Sequence, residues 1–302
     1  MESLQESLKR YNISLTKDQI KQLDSYCQLL WDWNSRLNLT RHITYERFVA
    51  RDLVDAMAIA EFLRNKERIL DVGSGGGMPG IILKILRPDL HVELCDSTGK
   101  KTLALSEIVN ELYLDIPVHH AKAETLLAAS AAPKNKKFTK QTKYQKTTQE
   151  PKNENTRFTT LTIRAVAKLT QLLRMFSPYW TLFDRLILVK GPNWISERGE
   201  ARHYNLMNKL ALRVLKNYPT NIEQTQTELT QITTQTETQT KNQTENQTKN
   251  EHGNSVVLQI CRKDDFEQLD KIIDNHIKSL IESRRPQNTK NNFKKINRSR
   301  KF

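Results

Sequence analysis

Five glycines lie between Gly73 and Gly80, inside the stretch ILDVGSGGGMPGI that runs from Ile69 to Ile81. The whole chain of 302 residues has only nine. An apolar run, RILDV, leads into this turn, and a second, GIILKIL, leaves it. The pattern predicts a strand, a glycine turn and a helix N-terminus. Glycines permit positive φ and let a ligand approach the main chain closely. The free N–H groups of the helix start favour an anion. Pro79 suits the first helical position, where its missing N–H costs nothing. A residue before proline avoids helical angles, so Met78 belongs to the turn.

Two carboxylates flank the glycines. Asp71 ends the first strand, and Asp96 ends the next one, HVELCD. An acid at the second position can accept hydrogen bonds from a ribose diol, as in dinucleotide sites. An acid at the first suits a ligand carrying an ammonium group. Ammonium plus adenosine ribose describes S-adenosylmethionine. The ribose signal is shared with NAD, so Asp71 carries the discrimination. The G-x-x-x-x-G-K-[ST] pattern of a phosphate-binding NTPase loop is absent.

These residues must be held by a larger frame. From Arg68 onward, the short apolar runs RILDV, HVELC, IPVHH, TLTIRA and RLILVK alternate with helical patterns. Such alternation predicts crossover units and a parallel sheet. A helix near Ser196–Lys209, a strand at LRVLK and a last strand at SVVLQIC follow. Residues 1–66 read as helical. Leu15, Gln19, Leu23, Tyr26, Leu30 and Trp33 recur at spacings of three and four. Thr16 and Gln19 form a capping-box pattern. A second helix is expected from Thr44 to Leu63. Trp31 and Trp33 invite a base-stacking role, but their place on an apolar face points to the core for at least one. His119 and His120 end a strand without a partner motif, which suits structural or solvent-facing roles.

Segments 131–157 and 220–252 consist almost wholly of polar residues. They hold too few apolar side chains to offset ordering entropy, so both are expected to be disordered inserts. The tail 284–302 is basic, without an acid. The division expected is a helical extension (1–66), a catalytic domain with two inserts (67–283) and a mobile tail (284–302). Net charge is +14, which suits a polyanionic partner or a merely soluble surface. Cys27, Cys95 and Cys261 follow no metal or redox spacing. A reducing, cytoplasmic setting fits, with no membrane segment and no metal site.

LDVGSGGGMPGI followed by LCDSTGKK resembles the RsmG/GidB (glucose-inhibited division protein B) family of small-subunit rRNA guanine-N7 methyltransferases. WDWNSRLNLT, ARDLVDAM, HAKAE, IRAVAKL and LVKG are similar to further motifs of that family. The resemblance implies a class I methyltransferase fold: α/β, Rossmann-like, with a mainly parallel seven-stranded sheet and an N-terminal helical extension. It implies methyl transfer from S-adenosylmethionine to guanine N7 in the 530 loop of 16S rRNA, free or in a small ribosomal subunit particle, by a monomer.

Residue by residue, the resemblance places Gly73, Gly75 and Met78 against the cofactor and Asp96 on its ribose. Ala123 and Glu124 fall at the adenine contact. Arg164 faces cofactor and target base, as a positioning group. Arg51 and Asp55 flank the pocket on the second helix, and Lys190 ends the fifth strand. Arg51, Lys122 and Lys190 are expected to face RNA. Arg284, Arg285, Lys294 and Lys295 of the tail are expected to hold phosphates. Without the resemblance, Arg51, Arg164 and Lys190 would read as surface charges. The chain departs from the family at Lys122, usually arginine, and at Asp52 and Ala56, usually histidine and serine. Two rivals remain: an NAD(P)-dependent oxidoreductase, and a non-catalytic RNA-binding protein with a relic cofactor fold.

Overall fold

Apolar runs bounded by polar turns become strands here, and their side chains alternate between two cores. In the computed structural model, which describes residues 2–131, 157–219 and 254–283, seven strands form one sheet. They are β1 (Arg68–Val72), β2 (His91–Asp96), β3 (Val118–His120), β4 (Thr160–Arg164), β5 (Arg185–Lys190), β6 (Leu210–Pro219) and β7 (Asn254–Arg262). Their order is β3-β2-β1-β4-β5-β7-β6, parallel except for β7, which runs antiparallel to both neighbours. Ile69, Ile187 and Val189 enter one core, while Leu70, Leu186 and Leu188 enter the other. Both faces are covered, so the strands are apolar on both.

The helices are α1 (Leu4–Arg10), α2 (Lys17–Asn34), α3 (Tyr45–Arg47), α4 (Val54–Ala60), α5 (Gly80–Leu86), α6 (Gly99–Glu111), α7 (Ala123–Ala131), α8 (Leu169–Phe176), α9 (Trp194–His203) and α10 (Lys263–Ser283). Side chains of α1, α2, α4, α5 and α6 share the first core, together with Ile273 of α10. The α7, α8 and α9 side chains share the second. The N-terminal extension therefore has no core of its own. The Thr16–Gln19 capping box is present, with reciprocal bonds of 3.2 and 3.0 Å.

Several elements differ from expectation. The helix expected over 44–63 is broken into α3, a π-helical turn at Phe48–Leu53, and α4. Such turns recur at functional sites, and this one carries Arg51 and Asp52. Pro79 is the N-cap of α5, one position before the first helical residue. The helix expected at 196–209 spans Trp194–His203. The sequence reading missed α10, although Leu269 and Ile273, four apart, are buried, and Ile277 packs on the same core. The bulk of both inserts, and the tail with Arg284, Arg285, Lys294 and Lys295, lie outside the described residues. No described helix is long and apolar enough to cross a membrane.

Candidate functional site

The site is built at the C-terminal edge of the sheet, where β1, β2, β4 and β5 release their loops. The glycine turn leaves β1 and is tied to β2 by Ser74 N–H donating to Cys95 O at 3.0 Å. The Tyr26 hydroxyl of α2 donates to Gly76 O at 2.9 Å, fixing the turn against the N-terminal extension. Gly73 has φ +66, and a Cβ there would come within 2.7 Å of Val166 Cγ2. The turn thus touches the loop after β4. Gly75 has φ +59, and a Cβ would meet only Gly73 O at 3.8 Å. Open space lies beside it.

Asp96 joins the two loops. Its Oδ2 accepts from Gly75 N at 3.1 Å and its Oδ1 from Thr98 N at 2.8 Å. An ionised carboxylate has about four acceptor positions, so capacity remains for a ribose diol. The open side of Gly75 beside this fixed carboxylate fits an adenosine-bearing cofactor.

Asp71 differs from expectation. It has no exposed surface. Its Oδ1 accepts from the Thr162 hydroxyl at 2.8 Å and its Oδ2 from Gly80 N at 3.2 Å. Burial pushes its carboxyl up to about 6, against the pull of these hydrogen bonds. A group without exposed atoms makes no ligand contact, so Asp71 positions the start of α5 and β4. The choice between S-adenosylmethionine and a dinucleotide cannot rest on it.

Arg164, ending β4, bridges two acids of the second helical segment. Its guanidinium lies 2.6 Å from Asp52 Oδ1 and 2.8 Å from Asp55 Oδ2. His42 Nδ1 is 2.9 Å from both Asp52 oxygens. The Tyr218 hydroxyl of β6 donates to Asp55 Oδ1 at 2.6 Å. Burial raises the Asp55 carboxyl above its ordinary value, and Arg164 offsets only part of that. Burial likewise raises the Tyr218 hydroxyl, and Asp55 adds to that. The next residue, Ala165, has φ +54, a left-handed angle that costs an alanine energy and clusters at functional sites.

A cleft of about 300 Å³ opens beside Arg164, lined also by Arg51, Asp55, Lys190, Asn193 and Glu197. Lys190 ends β5, donates to Ala167 O at 2.9 Å and pairs with Glu197 at 2.7 Å. The structure thus brings Arg51, Arg164 and Lys190 into one cleft, next to the loop that touches the glycine turn. Ala123 is buried at the start of α7, Glu124 is half-buried, Lys122 is exposed, and Met78 is half-buried against the first core.

Sequence reasoning missed His42, Glu197 and Tyr218. Their only sequence signal is charge or polarity at an element edge, which many surface residues share. Trp31 donates its indole N–H to His42 O at 2.8 Å, and Trp33 carries Arg36 over its ring at 4.1 Å. Both rings are half-buried against the first core. His119 pairs with Glu93 at 2.7 Å, and His120 contacts Ser97 O at 3.2 Å.

A family model described as rRNA small subunit methyltransferase G, GidB, matches residues 19–230. A ribosomal RNA small subunit methyltransferase G of Rhodopirellula baltica is 41% identical over 213 residues, covering 70% of this chain and 81% of that protein. Its namesake from a Roseiflexus species is 31% identical over 224 residues, 74% of this chain and 86% of that one. Among solved structures, an O-methyltransferase from Bacillus cereus in complex with SAH aligns with a TM-score of 0.44. The alignment has 12% identity and covers 80% of this chain and 91% of that chain.

Proposed function

Since the chain belongs to the GidB family, rRNA small subunit methyltransferase G, we propose that it methylates N7 of a guanine in the 530 loop of 16S rRNA. S-adenosylmethionine, when bound, supplies an activated methyl on a sulfonium. The open side of Gly75 and the fixed Asp96 hold its adenosine end. Gly73, Met78, Ala123 and Glu124 are the further cofactor contacts in this reading. The cleft at Arg164 and Lys190 takes the target base.

The chemistry asks little of proton transfer. Guanine N7 already bears a lone pair and loses no proton when a methyl is added. The chain therefore contributes placement, holding the base in line with the methyl group. The observation that carries this reading is the coupling of two places. Val166 packs against Gly73, and Arg164, two residues earlier, walls the cleft. The base must leave its stack to enter such a cleft. Arg51 supplies positive charge for the RNA backbone around it. Lys122 is exposed, and there a lysine takes the place of an arginine's planar fork.

The test is a map of N7-methylguanosine in 16S rRNA from cells with and without this protein. Loss of one modified guanine in the 530 loop is expected. An unchanged map overturns the substrate assignment.

A further inference from the structure

Among the described residues, Glu197 is the one carboxylate lining the cleft that is not held by Arg164. It lies in the first part of α9 and is fixed from two sides. Its Oε2 accepts from Leu169 N, the first residue of α8, at 2.8 Å, and lies 2.7 Å from Lys190 Nζ. The first N–H groups of a helix have no partner within it, so Glu197 serves as an anchor there. Both bonds fall on one oxygen. Among the described residues, none donates to Oε1. Lys190 has three donors and spends two, on Ala167 O and on Glu197. The pair thus leaves one acceptor and one donor side by side in a cleft of about 300 Å³, at the small end of ligand pockets.

We propose that Glu197 and Lys190 read the base edge of the target guanine: Glu197 Oε1 accepts from the N1–H/N2–H side, and Lys190 donates to O6. This rests on the guanine reading above. Guanine presents two donors beside one acceptor on that edge. Adenine presents a bare N1 acceptor there and an amine in place of O6, so both contacts would turn repulsive. A site built to hydrogen-bond a substrate group rejects the analogue lacking it, because its own polar group is left unpaired.

The same carboxylate also fits the charge change of the reaction. The N7 lone pair forms the new bond to the methyl carbon as the carbon–sulfur bond breaks. The sulfur leaves as a neutral thioether, and the base becomes a cation. Positive charge spread over the ring makes N1–H a stronger donor. A carboxylate facing it is bound more tightly in the transition state than before it, which is what accelerates a reaction.

The experiment uses the full chain, S-adenosylmethionine and a small-subunit rRNA fragment carrying guanosine, inosine or adenosine at the modified position. Inosine keeps N7, N1–H and O6 and lacks only the 2-amine. With wild-type protein, kcat/KM for inosine should be roughly 10–100-fold below that for guanosine, the range for losing a hydrogen bond to a charged group. Glu197→Gln should lower the guanosine rate and shrink the guanosine-to-inosine preference to within about threefold. Its affinity for S-adenosylhomocysteine should match wild type. Glu197→Asp, which keeps the charge, should restore part of the preference. A merely structural Lys190–Glu197 pair would lower all three substrates alike and leave the preference intact, which overturns the proposal. Equal rates for guanosine and inosine with wild type overturn it without any variant. No N7-methylguanosine in the guanosine arm would instead show that the guanine reading itself has failed, and the proposal with it.

Discussion

Gly75 and Asp96 meet through one hydrogen bond, and each is expected to touch the cofactor in its own way. Gly75 has φ +59 and faces open space. Valine there would place a branched side chain where the ligand lies and would strain the turn by about 1–2 kcal/mol or more. Gly75→Val should abolish S-adenosylmethionine binding while the protein stays folded. Unchanged affinity by calorimetry would put the pocket elsewhere. Asp96→Ala should weaken binding by roughly 1.5–3 kcal/mol, the range for hydrogen bonds to a charged group. The loss should be equal for S-adenosylhomocysteine, which carries the same ribose. Part of it would come from the Gly75 and Thr98 N–H groups left without their acceptor. Full affinity for both ligands would show that Asp96 only ties the loops.

The strands carry a buried guanidinium at each end of the sheet, and the two have different work. Arg164 ends β4 and walls the cleft. Arg185 starts β5 at the opposite edge and is sealed. Its guanidinium reaches Glu67 at 3.0 Å, Phe62 O at 2.8 Å, Thr160 Oγ1 at 2.9 Å and Gln259 Oε1 at 3.0 Å. This knot joins β4, β5 and β7 to the segment just before β1. Burial pushes the Glu67 carboxyl up, but Arg185 and Arg64 pull it further down, to about 2 from its ordinary 4.5. A depressed folded value means the stabilisation is fully present above pH 4.5. It is lost as pH falls from there toward 2. The shift corresponds to about 3 kcal/mol. Because Asp89 is depressed to about 2 as well, the check is a difference: the stability gap between wild type and Glu67→Gln, from denaturant titrations, should narrow by that order between pH 5 and 2. Glu67→Ala should cost about 3–5 kcal/mol at neutral pH, by leaving Arg185 buried without its acid. Replacing both by apolar residues, Glu67→Leu with Arg185→Met, should recover much of it. A double variant no better than the single one would show that the hydrogen bonds of Arg185, not its charge, hold the knot.

Across the whole molecule, the cluster around Arg164 gathers two distant parts of the chain. The N-terminal segment sends His42, Asp52 and Asp55, and β6 sends Tyr218. His42 joins Asp52 there, at 2.9 Å. The second helical segment is thereby locked to the sheet edge at the cleft. Arg164→Ala would take the guanidinium away from two buried carboxylates, with side chains only 1% and 6% exposed, leaving His42 on Asp52 and the Tyr218 hydroxyl on Asp55. The expected cost is about 3–5 kcal/mol at neutral pH. The deficit should shrink as pH falls, because the Asp55 carboxyl, raised by burial, takes up a proton and loses its unpaired charge. Methyl transfer should fall far more than S-adenosylmethionine affinity. A deficit constant from pH 7 to 4 would mean that the pair contributes packing rather than charge.

Much of this molecule is written locally. The glycine turn, the strand before it and the capped α2 follow from spacing over a few residues, where backbone sterics and side-chain period act directly. The alternation of apolar runs fixes a sheet covered on both faces, and the family motifs fix the kind of enzyme. The role of Asp71 was decided only in three dimensions. One acid beside a glycine turn looks the same in sequence whether it meets a ligand or Thr162 and Gly80. The break at Phe48–Leu53 was also hidden, because a π turn has no distinct residue pattern. So were His42, Glu197 and Tyr218. Each is an ordinary polar residue until the fold brings it to a partner, 10 positions away for His42, 28 for Glu197 at Leu169 and 163 for Tyr218. Long-range pairing of that kind depends on where the strands end in space, and no local pattern encodes it.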